Sequence, residues 1–124
     1  MSAPEYFELR EDHACFRPVG KVTLAEATAL LTRALDYAVE QKIPRLLVNA
    51  CELIMPLPTL ADKYFAVREW AGVAGGCVRL AIVLPAAIVD PQKFGEMVAR
   101  NAGLTAHIGI SEPEALQWLL ADKR

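Results

Sequence analysis

Two short apolar runs constrain the fold of this chain more than any other feature. Residues 45–50 (Arg-Leu-Leu-Val-Asn-Ala) and 78–84 (Val-Arg-Leu-Ala-Ile-Val-Leu) are each nearly unbroken. Such runs are typical of central strands that are covered on both faces. The segment that precedes the first of these runs has apolar residues at helical spacing: Leu24, Ala27, Leu31, Ala34, Leu35 and Ala38. Strands that alternate with helices predict parallel pairing and right-handed crossovers.

Turn and cap residues divide the rest of the chain into further elements. Residues 6–10 and 13–19 predict an antiparallel hairpin, and residues 104–108 predict a last short strand. Cap residues indicate four helix starts: Thr23, Thr59, Asp90 with Pro91, and Ser111. Two of these caps have a glutamate three residues later, so Thr23–Glu26 and Ser111–Glu114 are predicted capping boxes. We therefore predict one α/β domain over residues 1–124. Its sheet is mixed but mostly parallel, with about five strands, an N-terminal antiparallel hairpin followed by strand–helix repeats, and four helices.

Composition excludes several classes of protein. The chain is 54% hydrophobic and 23% charged, which is typical of a globular protein and not of a disordered one. A net charge of -2, with scattered Lys and Arg residues, argues against a nucleic-acid partner. The longest apolar run, residues 78–89, is interrupted by Arg79 and Pro85 and is too short for a membrane span. Residues 1–5 do not resemble a signal peptide, so we expect a soluble, cytoplasmic protein.

Candidate catalytic and metal-binding residues are few. Cys15, Cys51 and Cys77 are widely spaced and form no CxxC or Cys/His cluster, so we predict no metal site and small buried thiols. Cys51 and His107 both follow or end predicted strands and could form a thiolate–base pair, although no local signature of a cysteine hydrolase surrounds them. The glycines of residues 72–76 precede a strand, whereas a phosphate-binding loop opens a helix. We therefore predict no cofactor and no enzymatic activity, with a cysteine-dependent enzyme as the least favoured alternative.

The order of elements resembles the STAS superfamily, named for sulfate transporters and anti-sigma-factor antagonists. More closely, the chain is similar to the small stand-alone bacterial members of that superfamily, whose function is largely unknown. The resemblance covers nearly the whole chain and rests on Gly20 before the Thr23 helix, the runs 45–49 and 80–84, and the closing segment 114–119. It implies consecutive strand–helix turns and a docking or switching module without catalysis.

The resemblance also implies a phosphorylation site, and here the sequence departs from the pattern. In the regulatory antagonists a serine or threonine at the start of the second helix, within an Asp-Ser-Ser-Gly-like segment, is phosphorylated. This chain reads Asn-Ala-Cys-Glu-Leu at positions 49–53, and the nearest hydroxyl is that of Thr59. A phosphate on Thr59 would meet the positive end of a helix dipole. An ordinary helix cap explains Thr59 better than phosphorylation does.

The second predicted helix suggests an interaction surface. On a helical projection Leu60, Tyr64, Val67 and Ala71 form one stripe, and Phe65 and Trp70 lie on its two flanks. Either neighbouring helices cover the flanks, or the flanks and the preceding loop form an exposed apolar patch. The residues of that candidate surface are Ile54, Met55, Leu57, Phe65 and Trp70.

Two functions from different classes follow. The first is a non-enzymatic regulatory module that docks a protein partner, or a second copy of itself, through the second helix and the preceding loop. The alternative is a carrier or sensor of a small, lipid-like apolar ligand, because some lipid-transfer domains have a related winding. That alternative requires an internal apolar cavity, which the loop of residues 53–58 could cover.

Overall fold

In the computed structural model, which describes residues 3–89 and 94–121, three helices cover one face of a five-stranded sheet and a fourth covers the other. The strands are β1 (Phe7–Leu9), β2 (Ala14–Phe16), β3 (Gly20–Lys21), β4 (Arg45–Asn49), β5 (Leu53–Ile54), β6 (Arg79–Val83) and β7 (Ala106–Gly109). The helices are α1 (Leu24–Glu40), α2 (Leu60–Ala74), α3 (Phe94–Asn101) and α4 (Glu112–Leu120).

The main sheet has the strand order β1-β2-β4-β6-β7. β1 and β2 form an antiparallel hairpin, and every other neighbouring pair is parallel. The predicted fold class is therefore confirmed: the sheet is mixed and mostly parallel, begins with a hairpin, and continues in strand–helix repeats. The two apolar runs form β4 and β6, which are adjacent near the centre of the sheet.

Alternation along β4 explains why that strand is apolar throughout. Leu46 and Val48 face the core beneath α1, α2 and α3, whereas Leu47 faces the core beneath α4. All three side chains are almost completely buried. A strand between two helical layers has no solvent-facing side on which polar residues would be favoured.

A second, two-stranded parallel sheet was not predicted from the sequence. β3 pairs with β5, and the N–H of Val22 extends the pairing by donating to the carbonyl of Ile54 over 2.9 Å. Each strand has only two residues, which is too short for an alternation of apolar and polar residues to be recognised in the sequence. This pairing fixes the start of the loop that connects β4 to α2.

Side-chain caps begin three of the helices. Thr23 with Glu26 and Thr59 with Asp62 form reciprocal capping boxes at α1 and α2, and the Ser111 hydroxyl accepts from the amide of Glu114 over 3.3 Å. The predicted cap at Asp90 lies outside the described residues.

The end of α2 is a glycine cap. The helix continues through Gly72 to Ala74, and only Gly75, with a left-handed φ of 56°, terminates it. A glycine tolerates this conformation without the steric cost of a Cβ atom. Residues 72–74 are thus the last turn of the helix, and Gly75 is its cap.

Candidate functional site

An apolar groove lies between α1, α2 and the sheet, and encloses a cavity of about 110 Å³. Of its nineteen described lining residues, fifteen are apolar and four are polar or charged. The apolar residues come from α1, the β4–α2 connection, α2, the sheet and the segment after β6: Leu24, Ala27, Leu31, Ala50, Leu53, Met55, Pro58, Ala66, Val67, Trp70, Ile82, Leu84, Ile88, Val89 and Ile108. The other four are Thr28, Asp62, Lys63 and Glu96.

The groove exists because α2 is anchored only at its C-terminal half. The buried residues of α2 are Val67, Ala71 and Ala74, and its first seven residues, 60–66, include no buried position. Two side-chain bonds link the middle of α2 to α1. The Trp70 indole N–H donates to the Thr28 carbonyl over 3.4 Å, and the Thr32 hydroxyl donates to Glu69 over 2.9 Å. The first two turns of α2 therefore form one wall of the groove without being packed into the core.

The β4–α2 connection lies at the groove as the ligand hypothesis requires. Leu53 is 5% exposed and packs with Ala27 and Ala50, while Met55 is half-buried against the same cluster. Leu53, Met55 and Pro58 all line the cavity. The segment predicted to cover an apolar cavity is thus part of the wall of one.

The predicted interaction residues divide into two groups. Ile54, Leu57 and Phe65 are exposed, with 67%, 67% and 69% of their surface accessible. Met55 and Trp70, by contrast, are half-buried and line the groove. A hydrogen-bonded, groove-facing Trp70 belongs to the groove and not to the outer surface.

Two further residues of α2 are more exposed than the helical projection suggested. Leu60 is 57% exposed and Tyr64 is 38% exposed, and the Tyr64 and Phe65 rings meet edge to face at 5.5 Å. A projection treats every turn as equally covered, whereas the first turns of α2 extend beyond the core. We use the term α2 patch for the exposed set Ile54, Leu57, Leu60, Tyr64 and Phe65.

Thr59 acts as a helix cap. Its hydroxyl accepts from the amide of Asp62 over 3.1 Å, and its own N–H donates to the Asp62 carboxylate over 2.9 Å. A phosphate on this hydroxyl would be close to that carboxylate and would displace the cap. Phosphorylation of Thr59 stays a prediction, and the geometry favours the cap.

The structure does not support a Cys51–His107 catalytic pair. Cys51 is exposed after β4, whereas β7 carries His107, and β6 lies between these strands. The His107 ring stacks on Trp118 at 5.3 Å. Burial raises the pKa of the Cys51 thiol, and the charges of Glu52 and Glu112 raise it further, which opposes thiolate formation. The prediction of buried thiols is correct for Cys15 and wrong for Cys51 and Cys77, because the latter two lie in turns after β4 and α2.

A polar cluster on the α4 side of the sheet was missed by sequence reasoning. Glu112 accepts two bonds from the Arg17 guanidinium, at 2.6 and 2.7 Å, and one from the Asn49 amide at 3.0 Å. The Asn49 side-chain oxygen in turn accepts from the Cys51 N–H over 3.0 Å. Burial raises the pKa of Glu112, but the bonds from Arg17 and Asn49 outweigh it and the pKa is lowered overall. Arg17 and Glu112 are 95 positions apart, so no local pattern indicates their contact.

Within residues 3–89 and 94–121, no group of three or more His, Cys, Asp or Glu side chains is placed to hold a metal ion. In the same part of the chain, no helix combines the length and the apolar character needed to cross a membrane.

The chain has a structural likeness to a solved protein. No protein-family model and no curated protein matches this chain. The chain is similar to an uncharacterized protein of the DUF3478 family with a SpoIIAA-like fold, from Shewanella loihica PV-4, whose crystal structure was determined at 2.25 Å resolution. The two chains are 22% identical, with a TM-score of 0.48, over 96% of this chain and 98% of the other.

Proposed function

We propose that this chain is a non-enzymatic module of STAS type that holds a small apolar ligand in the groove between α1 and α2. The observation that carries this proposal is the cavity of about 110 Å³ with a predominantly apolar lining. Pockets that bind small molecules are concave and mostly apolar, with a few polar groups that fix orientation. This groove has that character.

The size of the cavity limits the ligand. An engineered apolar cavity of about 150 Å³ binds benzene. A space of about 110 Å³ therefore accommodates a short alkyl segment or a compact ring fragment. The groove is partly open, so a longer single chain would extend beyond the enclosed part. Two acyl chains of a phospholipid would not fit the enclosed volume together.

Tryptophan fluorescence provides a direct test, because the two tryptophans lie on opposite faces of the sheet. Trp70 lines the groove, whereas Trp118 packs on the α4 side. A Trp118→Phe variant leaves Trp70 as the single reporter, and titration with decanol should shift its emission saturably. The matched Trp70→Phe variant retains only Trp118 and should not respond. An unchanged Trp70 emission at saturating decanol would refute the ligand proposal.

Native mass spectrometry of the protein purified from cells addresses the natural ligand. Retained mass of a few hundred daltons, lost on mild denaturation, would support the carrier function and allow the compound to be identified.

A second candidate function is supported by the α2 patch. Its five apolar side chains are exposed in the loop before α2 and in the first turns of that helix. Exposed apolar patches mark interaction surfaces, so a protein partner or a second copy of the chain could dock there. Sedimentation velocity over a range of concentrations tests self-association. A Phe65→Asp substitution should reduce it, whereas Leu9→Asp, at a 71% exposed position on β1, should not. Identical monomeric behaviour of all three proteins would exclude self-association as the role of this surface.

A further inference from the structure

Lys63 occupies a position at which the register of α2 calls for an apolar residue. It lies four, seven and eleven residues before Val67, Trp70 and Ala74, and this spacing places all four on one side of the helix. Val67 and Ala74 are buried, Trp70 lines the groove, and Lys63 itself is half-buried and lines the groove. The aliphatic part of Lys63 therefore forms part of an apolar wall.

The local structure of the helix gives no reason for a lysine at this position. Lys63 lies in the first turn of α2, since its N–H donates to the carbonyl of the cap residue Thr59. A cation near the N-terminus of a helix is unfavourable, because that end carries the positive pole of the macrodipole. Residues that break a local rule without a compensating structural gain are concentrated at functional sites.

The other charged residues of the groove are already bonded to the protein. The Asp62 carboxylate accepts from the Thr59 N–H over 2.9 Å. The Glu96 carboxylate accepts from the Ile108 N–H over 3.0 Å and lies 4.0 Å from His107 Nδ1. Among the residues that the structure describes, none forms a hydrogen bond or ion pair with the Lys63 ammonium.

We propose that Lys63 selects the ligand of the groove by its head group, and that the ligand is a single-chain amphiphile with an anionic head. This inference rests on the proposed apolar-ligand function and adds the class of ligand. The alkyl chain would lie against the apolar wall, and a carboxylate, sulfate or phosphate would pair with the ammonium at the edge of the groove. Low-polarity surroundings strengthen such a pair relative to one in water.

The test compares four ligands with the same ten-carbon chain: decanoate, decyl sulfate, decanol and decylammonium. Their dissociation constants are measured at pH 7.5 by the Trp70 fluorescence titration. The wild-type groove should bind the two anions about two- to fivefold more tightly than decanol, as expected of one partly exposed ion pair, and should bind decylammonium most weakly. The anion with the lower dissociation constant identifies the preferred head group. The preference should decrease at high ionic strength, because salt screens the pair.

Two variants assign the preference to one side chain. Lys63→Met keeps the length and apolar character of the stem, so it should bring the anions and decanol to equal affinity while decanol affinity changes by less than about twofold. Arg68→Met removes a charge from the exposed side of the same helix and should leave the preference intact. Circular dichroism confirms that both variants are folded.

The outcomes separate this inference from the function on which it rests. Equal wild-type affinity for decanoate and decanol would overturn the role of Lys63 and leave the apolar site standing. An anion preference that survives in Lys63→Met, or tightest binding of decylammonium, would also overturn it. Failure of all four ligands to bind would overturn the inference and the proposed function together.

Discussion

Filling the groove from within should stabilise the protein and abolish ligand binding at the same time. Ala66 is the position to change, because it is half-buried, lines the cavity and lies in the helical half that the core does not hold. An Ala66→Leu substitution adds three carbon atoms at a position that lines the groove. Leucine and alanine both favour helices, so the backbone should tolerate the exchange.

The magnitude follows from the size of the cavity. Cavity volume costs about 24 cal/mol per Å³, so filling all of a cavity of about 110 Å³ would raise the free energy of unfolding by roughly 2.6 kcal/mol. One leucine fills part of the space, and the groove is partly open, so we expect an increase in the free energy of unfolding of about 1 kcal/mol. For a chain of this length, that corresponds to a rise in Tm of about 3–6 °C.

Chemical denaturation followed by circular dichroism measures the change, and the decanol titration of the same variant measures binding. Ala61→Leu is the matched control, because it makes the same exchange at an exposed position of the same helix and should change stability by less than about 0.5 kcal/mol. A destabilised Ala66→Leu protein would show that the groove does not have room for the side chain. Unchanged decanol affinity would show that decanol binds elsewhere.

Three other substitutions test the fold around the groove. Thr59→Ala removes the hydroxyl that caps α2 and should lower the free energy of unfolding by about 1 kcal/mol in urea titrations. Thr59→Ser keeps a hydroxyl and should retain most of the stability that the cap contributes. Glu112→Gln should cost about 1–2 kcal/mol near pH 7, because it removes the charge that Arg17 binds. Since folding lowers the pKa of Glu112, its stabilisation is present above the usual glutamate pKa of about 4.3 and is lost as the pH falls through the folded-state value. Wild type and Glu112→Gln should therefore converge in acid, and a constant difference down to pH 2 would contradict this account. Leu35→Ala, at a fully buried position of α1, should cost about 2–5 kcal/mol by thermal unfolding, and a smaller loss would mean that the core collapses around the gap.

The parts of the fold that were predictable are those determined by local sequence. The apolar runs that became β4 and β6 predicted a sheet covered on both faces, and capping residues such as Thr23 predicted where helices begin. Local patterns were insufficient where a contact joins distant parts of the chain. β3 and β5 have two residues each, and their pairing joins Gly20 to Leu53, which are far apart in the sequence.

The site was predictable only in part, for a related reason. The sequence suggested that the loop before α2 could cover an apolar cavity, and in the structure Leu53, Met55 and Pro58 of that loop line the groove. The register of α2 also indicated which residues would share a side, but it could not show that the first turns of the helix leave the core. That departure exposes Leu60 and creates the groove into which Lys63 faces. The contact of Arg17 with Glu112 likewise depends on the position of α4 over the sheet.

The uneven anchoring of α2 has a consequence for how the groove exchanges its contents. Hydrogen exchange proceeds through the cheapest opening available to each amide, and segments with little buried apolar surface open without global unfolding. Residues 60–66 have no buried position, whereas Val67, Ala71 and Ala74 hold the rest of the helix to the core. We therefore expect the amides of this one continuous helix to show two levels of protection from exchange, with a boundary near Val67. We expect fraying of residues 60–66, about two turns of helix, to open the groove while the sheet beneath it stays folded.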